Sequence, residues 1–193
     1  MNNIELTNTQ KKKDEIRKEI KRLLLAQDAS AREEKSRVIR EKLLASEEFR
    51  KSRTVMTYVS LPSEVDTSRF NEEALKRGKR VAVPYLGTAD QEILASEITS
   101  VDSLVKGPFG IFEPKDGGKR TIPLEEIDLI VVPAIAFDRN NMRLGRGKGY
   151  YDRFLSRPDL TSTKTIGIAY SFQITDPLPQ DPHDRPVHRV LTD

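Results

Sequence analysis

The sequence predicts an α/β protein: a three-layer α/β/α arrangement around an open, mostly parallel sheet, preceded by two N-terminal helices. Three observations carry this expectation. The first fifty or so residues are heavily charged and repeat their apolar side chains at helical spacing. From Thr54 onward, short runs rich in β-branched and aromatic residues alternate with helical segments, the order that builds a parallel sheet. Residues 127–136 (IDLIVVPAIA) are nearly all apolar, as a central strand covered on both faces must be.

In order, residues 9–27 form an amphipathic helix through Ile16, Ile20, Leu23 and Leu24. A second helix opens with Ser30 and Glu33 in a capping-box pattern and buries Val38, Leu43, Leu44 and Phe49. Residues 54–61 (TVMTYVSL) read as a strand ended by Pro62. Asp66, Thr67 and Ser68 offer N-caps for a helix through Arg77, Gly78 sits at its C-terminal cap, and residues 80–85 are the next strand, completing a β-α-β unit. Residues 91–98 form another strand, and 107–114 (GPFGIFEP) a turn-rich connection. After the strand at 127–136 come a glycine loop, a helix over 149–156, a strand at 165–170 and a short last strand at 187–191.

A chain of 193 residues with no long polar linker is expected to be a single domain over 1–193. Its 33 basic and 30 acidic residues leave only +3, too weak an excess to argue for nucleic acid. Cysteine is absent, which excludes disulfides, thiolate metal sites and a cysteine nucleophile and fits a reducing compartment. No apolar run has signal-peptide or membrane-spanning length, so a cytoplasmic protein without a membrane partner is expected.

Chemistry concentrates at residues 143–152, RLGRGKGYYD. Gly145, Gly147 and Gly149 alternate with Arg146 and Lys148, directly after the most apolar strand and before a helix, where open α/β sheets bind ligands. Glycine lets backbone N–H groups approach an anion, a helix N-terminus adds its dipole, and Arg143, Arg146 and Lys148 add full charges. No Ser or Thr follows Lys148, so this is not a Walker A loop, and the glycine spacing does not fit the dinucleotide fingerprint. Alone, such a segment would equally serve as a basic surface turn. Tyr150, Tyr151 and Asp152 add two stacking surfaces and a hard oxygen ligand, pointing to an enzyme that handles phosphate. A nucleic-acid module would account for the basic residues but not for Asp152, whose carboxylate repels a phosphate backbone.

RLGRGKGYYDRF, following an apolar strand that ends in Ala136-Phe137-Asp138, strongly resembles the 5-formyltetrahydrofolate cyclo-ligases, also called methenyltetrahydrofolate synthetases. The resemblance runs from the basic first helix, through Ser60-Leu61-Pro62-Ser63-Glu64, to His183-Asp184. It implies ATP- and Mg²⁺-dependent conversion of 5-formyltetrahydrofolate, with or without a polyglutamate tail, to 5,10-methenyltetrahydrofolate, by a monomer. By the same resemblance Lys13 and Arg17 hold ATP phosphates, together with Arg143, Leu144, Gly145, Arg146, Gly147, Lys148, Gly149, Tyr150 and Tyr151 of the loop. Val59, Glu64 and Phe109 contact the folate, as do Arg146, Gly147, Lys148, Gly149 and Tyr150. Asp152 and Asp184 bind Mg²⁺, and Arg146 and Lys148 act on the transferred phosphoryl group.

Read as residues only, each position also has a plainer role. Lys13, Arg17 and Lys21 form a basic stripe that fits a solvated helix face. Glu64 fits an ordinary loop, Asp152 a helix-start carboxylate, Asp184 a turn, and Phe109 and Phe112 core anchors. His188 stands where the family pattern leads one to expect an acidic residue.

Overall fold

The computed structural model describes residues 7–87, 92–107, 112–115 and 118–193. Helix α1 (Asn8–Ala26) is capped by Thr7, whose hydroxyl accepts the Gln10 N–H at 3.2 Å. Helix α2 (Ala29–Ala45) starts one residue earlier than Ser30, because Asp28 is its cap and accepts the Ser30 N–H at 2.9 Å. Ser46 then ends α2 and caps a separate short helix, α3 (Glu47–Lys51), so Phe49 reaches the core from its own element. The β-α-β unit is present as β1 (Thr54–Met56), α4 (Ser68–Lys76) and β2 (Arg80–Leu86), with Thr54 beside Arg80 in parallel register. Gly78 takes the expected left-handed conformation, φ +73°, after α4.

β1 is shorter than the eight residues its composition predicts. After the Thr57 N–H bonds to Ala82 O at 2.9 Å the chain leaves the sheet and becomes the loop that carries Glu64. β3 (Ile93–Ile98) follows, then β4 (Leu104–Lys106) and β5 (Phe112–Pro114), an antiparallel pair of which only β5 falls in the stretch 107–114 expected to be a turn-rich connection, and β6 (Thr121–Ile122). The apolar run at 127–136 holds one strand and reaches only the first residue of the next. β7 (Leu129–Val132) belongs to the main sheet; Pro133, with no N–H to continue a ladder, intervenes; β8 (Ala136–Asp138) pairs instead with β9 (Arg143–Leu144). Helix α5 (Tyr150–Leu155), β10 (Lys164–Ile168), β11 (Ile174–Thr175) and β12 (Arg189–Leu191) complete the chain.

The main sheet runs β12-β10-β7-β1-β2-β3-β6, parallel from β12 to β2 and antiparallel at β3 and β6. It is a mixed sheet with a parallel core. Strand alternation divides the buried side chains between two layers. Val55, Val81, Val83, Leu129, Val131 and Ile166 face α1 to α4, meeting Ile20, Leu24, Ile39, Leu43, Phe49 and Phe70. Met56, Ala82, Ile130 and Val132 face a thinner layer of α5 and 3₁₀ turns, with Phe154, Leu124 and Leu160. Each large apolar side chain buried this way contributes about 1.5–3 kcal/mol. Among the described residues, no helix is long and apolar enough to cross a membrane.

Candidate active site

The segments that leave the carboxyl ends of β1, β2 and β7 open a cavity of about 1150 Å³, above the usual size for one small ligand. Tyr58 and Val59 line it after β1, Tyr85 and Leu86 at the end of β2, and Pro133 and Ala134 after β7. α1 contributes Lys13 and Arg17, the glycine loop contributes residues 143–149, α5 adds Tyr150, Tyr151 and Asp152, and the C-terminal turn adds Asp181, His183 and Asp184. Phe109 lies outside the described residues. Phe112 is 45% exposed at the cavity and is therefore not a core anchor.

The loop's shape depends on its glycines. Gly147 and Gly149 hold φ of +100° and +67°, conformations that side chains disfavour. A Cβ on Gly145 would stand 2.6 Å from Nη1 of Arg143. Helix α5 begins at Gly149 but has six residues, with Asp152 in its first turn. Its dipole is therefore a small contribution beside the full charges around it.

Those charges are paired across long stretches of sequence. Lys13 is 5% exposed, and its Nζ donates to Asp181 Oδ2 at 2.7 Å and Asp184 Oδ2 at 2.5 Å. Burial alone would lower the Lys13 pKa, but the two carboxylates outweigh it and hold the value above the ordinary lysine range; Asp181 is held below its own, chiefly by the hydrogen bond from Lys13. Arg17 donates from Nε to Gly145 O at 2.9 Å and from Nη1 to Asp14 Oδ1 at 2.6 Å, tying α1 to the loop. Arg143 donates to Asp152 Oδ1 at 2.7 Å and stacks 5.6 Å from the Tyr151 ring centre, while its buried Nε has no hydrogen-bond partner among the described residues. Arg146 donates to Glu64 Oε1 at 2.6 Å, and Glu64 Oε2 accepts the Leu61 N–H at 2.9 Å. Burial pushes the Tyr151 hydroxyl well up, against the opposing pull of Arg143, so it stays a neutral phenol.

The basic stripe on α1 thus divides. Lys13 and Arg17 face the cavity, whereas Lys21 is exposed and does not line it. The two expected metal carboxylates occupy different settings: Asp152 beside Arg143, and Asp184 in a group with Asp181 and His183 whose ligand atoms lie within 4.8 Å of one another. Asp181 and Arg153 were not singled out from the sequence. Asp181 belongs to a turn in which its N–H bonds Asp184 Oδ2 at 2.8 Å, a partnership visible only as two aspartates three apart around Pro182. Arg153 donates to Lys148 O at 3.1 Å and lies 5.2 Å over the Tyr150 ring. At the far edge, His188 Nδ1 accepts the Thr165 N–H at 3.1 Å, so the imidazole fills an acceptor role in a place where an acid was expected.

The profile of the 5-formyltetrahydrofolate cyclo-ligase family matches residues 9–193. The chain is 30% identical to the Mus musculus protein named 5-formyltetrahydrofolate cyclo-ligase, over 91% of each chain, and 30% identical to the Haemophilus influenzae protein of that name, over 95% of this chain and 98% of the other. A solved structure described as Aquifex aeolicus 5,10-methenyltetrahydrofolate synthetase superposes with a TM-score of 0.80 at 36% identity, covering 93% of this chain and 88% of that one. The Mycoplasma pneumoniae 5,10-methenyltetrahydrofolate synthetase gives 0.74 at 28% identity, covering 94% and 98%. The cavity at the ends of the parallel strands, the loop that joins α1 to Glu64 and this likeness along almost the whole chain agree: the protein belongs to the 5-formyltetrahydrofolate cyclo-ligase family.

Proposed function

We propose that the protein converts 5-formyltetrahydrofolate and ATP to 5,10-methenyltetrahydrofolate, ADP and phosphate, in the cytoplasm and as a monomer. One observation carries the reading. The glycine loop is bonded to α1 on one side, through Arg17 and Gly145, and to the Glu64 loop on the other, through Arg146. It stands between a wall suited to a triphosphate and a wall suited to a pterin, and a cavity of about 1150 Å³ has room for both ligands.

Lys13, Arg17 and Arg143 supply point and forked charges for phosphate oxygens. The buried, unbonded Nε of Arg143 is a donor that an anion would satisfy. Glu64 accepts N–H donors in this structure, and the amino-pyrimidinone edge of the pterin presents such donors. The formyl oxygen takes the γ-phosphoryl group and ADP leaves. Nitrogen-10 then attacks the formyl carbon, losing its proton, and phosphate departs with the former formyl oxygen. A formyl oxygen is a poor leaving group and phosphate a good one, so the residues' task is positioning and neutralisation of charge. Arg146 and Lys148 are exposed on the loop and close enough to the seam to stabilise the transferred group.

Asp152 and Asp184 suit Mg²⁺, which takes few carboxylates and completes its shell with phosphate oxygens and water. Their contacts described above fall on Oδ1 of Asp152 and Oδ2 of Asp184. When bound, the ion would neutralise phosphate charge. The test is direct: protein, MgATP and 5-formyltetrahydrofolate are mixed and the near-ultraviolet absorbance of the methenyl product is followed. Folded protein that produces no such absorbance refutes the proposal.

A further inference from the structure

Glu64 presents its carboxylate to the cavity, but it sits on a loop that has left the sheet, and its placement needs a cause. Tyr170 is fully buried after β10, and its hydroxyl donates to the Glu64 carbonyl at 2.9 Å. A phenol has one hydrogen, so the second contact of that hydroxyl, 3.0 Å to Ser36 Oγ on α2, runs the other way: Ser36 donates and Tyr170 accepts. Ser36 Oγ in turn accepts the Asp66 N–H at 3.2 Å. The result is one directed chain from Asp66 N–H through Ser36 and Tyr170 to Glu64 C=O. It holds two backbone groups, two residues apart in one loop, against a helix and a strand end that are both in the core.

The tyrosine is itself fixed. Gln173 Oε1 accepts the Tyr170 N–H at 2.8 Å, and Gln173 Nε2 donates to Ala134 O at 3.2 Å and Ile135 O at 3.0 Å, next to the cavity wall after β7. The ring stacks on Phe172 with centres 5.6 Å apart. Burial raises the phenol pKa, so the donor persists over the working pH range.

We infer that Tyr170 is a positioning residue for the pterin wall: through the Glu64 carbonyl, and with Ser36, it sets the direction in which the Glu64 carboxylate meets the folate. This rests on the proposed reaction. Tyr170→Phe keeps the ring and removes only the donor. It is expected to raise the KM for 5-formyltetrahydrofolate about fivefold while the KM for ATP moves less than about twofold. In a Glu64→Ala background the same substitution is expected to add less than about twofold, because the group it positions is gone. Ser36→Ala is expected to move the folate KM in the same direction. A general loss of structure would raise both KM values together. Equal shifts for ATP and folate, or the full folate effect with Glu64 already absent, would overturn the inference.

Amide hydrogen exchange in Tyr170→Phe separates this from the assigned reaction. Exchange should quicken at Leu61 and Glu64, whose N–H groups bond within the loop, relative to the amides of β7. A wild type inert toward MgATP and 5-formyltetrahydrofolate would sink the reaction alone, and unchanged exchange at those amides would sink the positioning role by itself.

Discussion

The two walls of the cavity are held by opposite means. On the α1 side, proposed above to take phosphate, Lys13, Arg17 and Arg143 are already engaged by Asp181, Asp184, Asp14 and Asp152. On the Glu64 side the loop backbone is held by neutral groups, Tyr170 bonding the Glu64 carbonyl, Tyr58 the Val65 carbonyl at 3.1 Å and Thr67 the Tyr58 carbonyl at 2.6 Å, while the Glu64 carboxylate itself pairs with Arg146. The first wall is assembled from charges that cancel before any ligand arrives, so an incoming anion exchanges partners rather than meeting bare cations. The second is a fixed backbone scaffold on which the Glu64 carboxylate, bonded to Arg146 and the Leu61 N–H, is the group with partners to exchange. Charge balance builds a site that can reorganise, and buried neutral hydrogen bonds build one that keeps its shape.

The largest effect should follow Lys13→Met. It leaves Asp181 and Asp184 side by side without their cation, and stability to urea in metal-free buffer is expected to fall by about 3 kcal/mol. Added Mg²⁺ should restore part of that loss if the carboxylates take the ion, and the same denaturation with Mg²⁺ reads it. No loss of stability in metal-free buffer would show that the charged wall does not depend on its pairing. Arg146→Ala and Lys148→Ala should divide catalysis from stability. Turnover is expected to drop about 100-fold, with unfolding free energy changing by no more than about 0.5 kcal/mol because both side chains are exposed. Near-normal turnover in both variants would remove the loop from the chemistry.

Gly147→Ala places a side chain at φ +100° and is expected to cost about 1–2 kcal/mol. Tyr58→Phe, its counterpart on the neutral wall, should cost about 1 kcal/mol and respond little to salt, whereas Lys13→Met should lose less at high salt. Equal salt dependence in the two variants would erase the distinction between the walls. The smallest effect concerns His188, whose pKa lies below the ordinary 6.5 because of burial and the nearby Lys164. The unfolded chain therefore binds the proton more readily. The contribution is present above about pH 6.5 and is lost as the pH falls from there through the folded value. A melting temperature that falls slightly over that interval in the wild type, and less in His188→Asn, is the expected result.

Much of this was legible in the residues, and the exceptions share a cause. Periodicity located the helices and strands because burial imposes it locally, and RLGRGKGYYD marked the loop because its glycines and charges are contiguous. The end of β1 was not legible: Thr57 to Leu61 has strand composition, but the strand stops at Met56 and the Tyr58 carbonyl is bonded by Thr67 Oγ1. The cap at Asp28 was not legible either, because Asp and Ser are both good caps and only the geometry chooses Asp28 over Ser30. In the site, Lys13 and Arg17 could be named, but nothing in α1 reveals that Lys13 is paid for by Asp181, and Tyr170 reads as a strand-end aromatic until its hydroxyl is seen beneath Glu64.

The Lys13 clamp also bears on how the protein is made. Its partners lie 168 and 171 residues further along the chain, among the most distant contacts a chain of this length allows. Such contacts form late, after the closure entropy of the intervening chain has been met by other interactions. During synthesis α1 leaves the ribosome before residues 181–184, so the Lys13 clamp, and with it that corner of the cavity, is complete only after the turn has emerged.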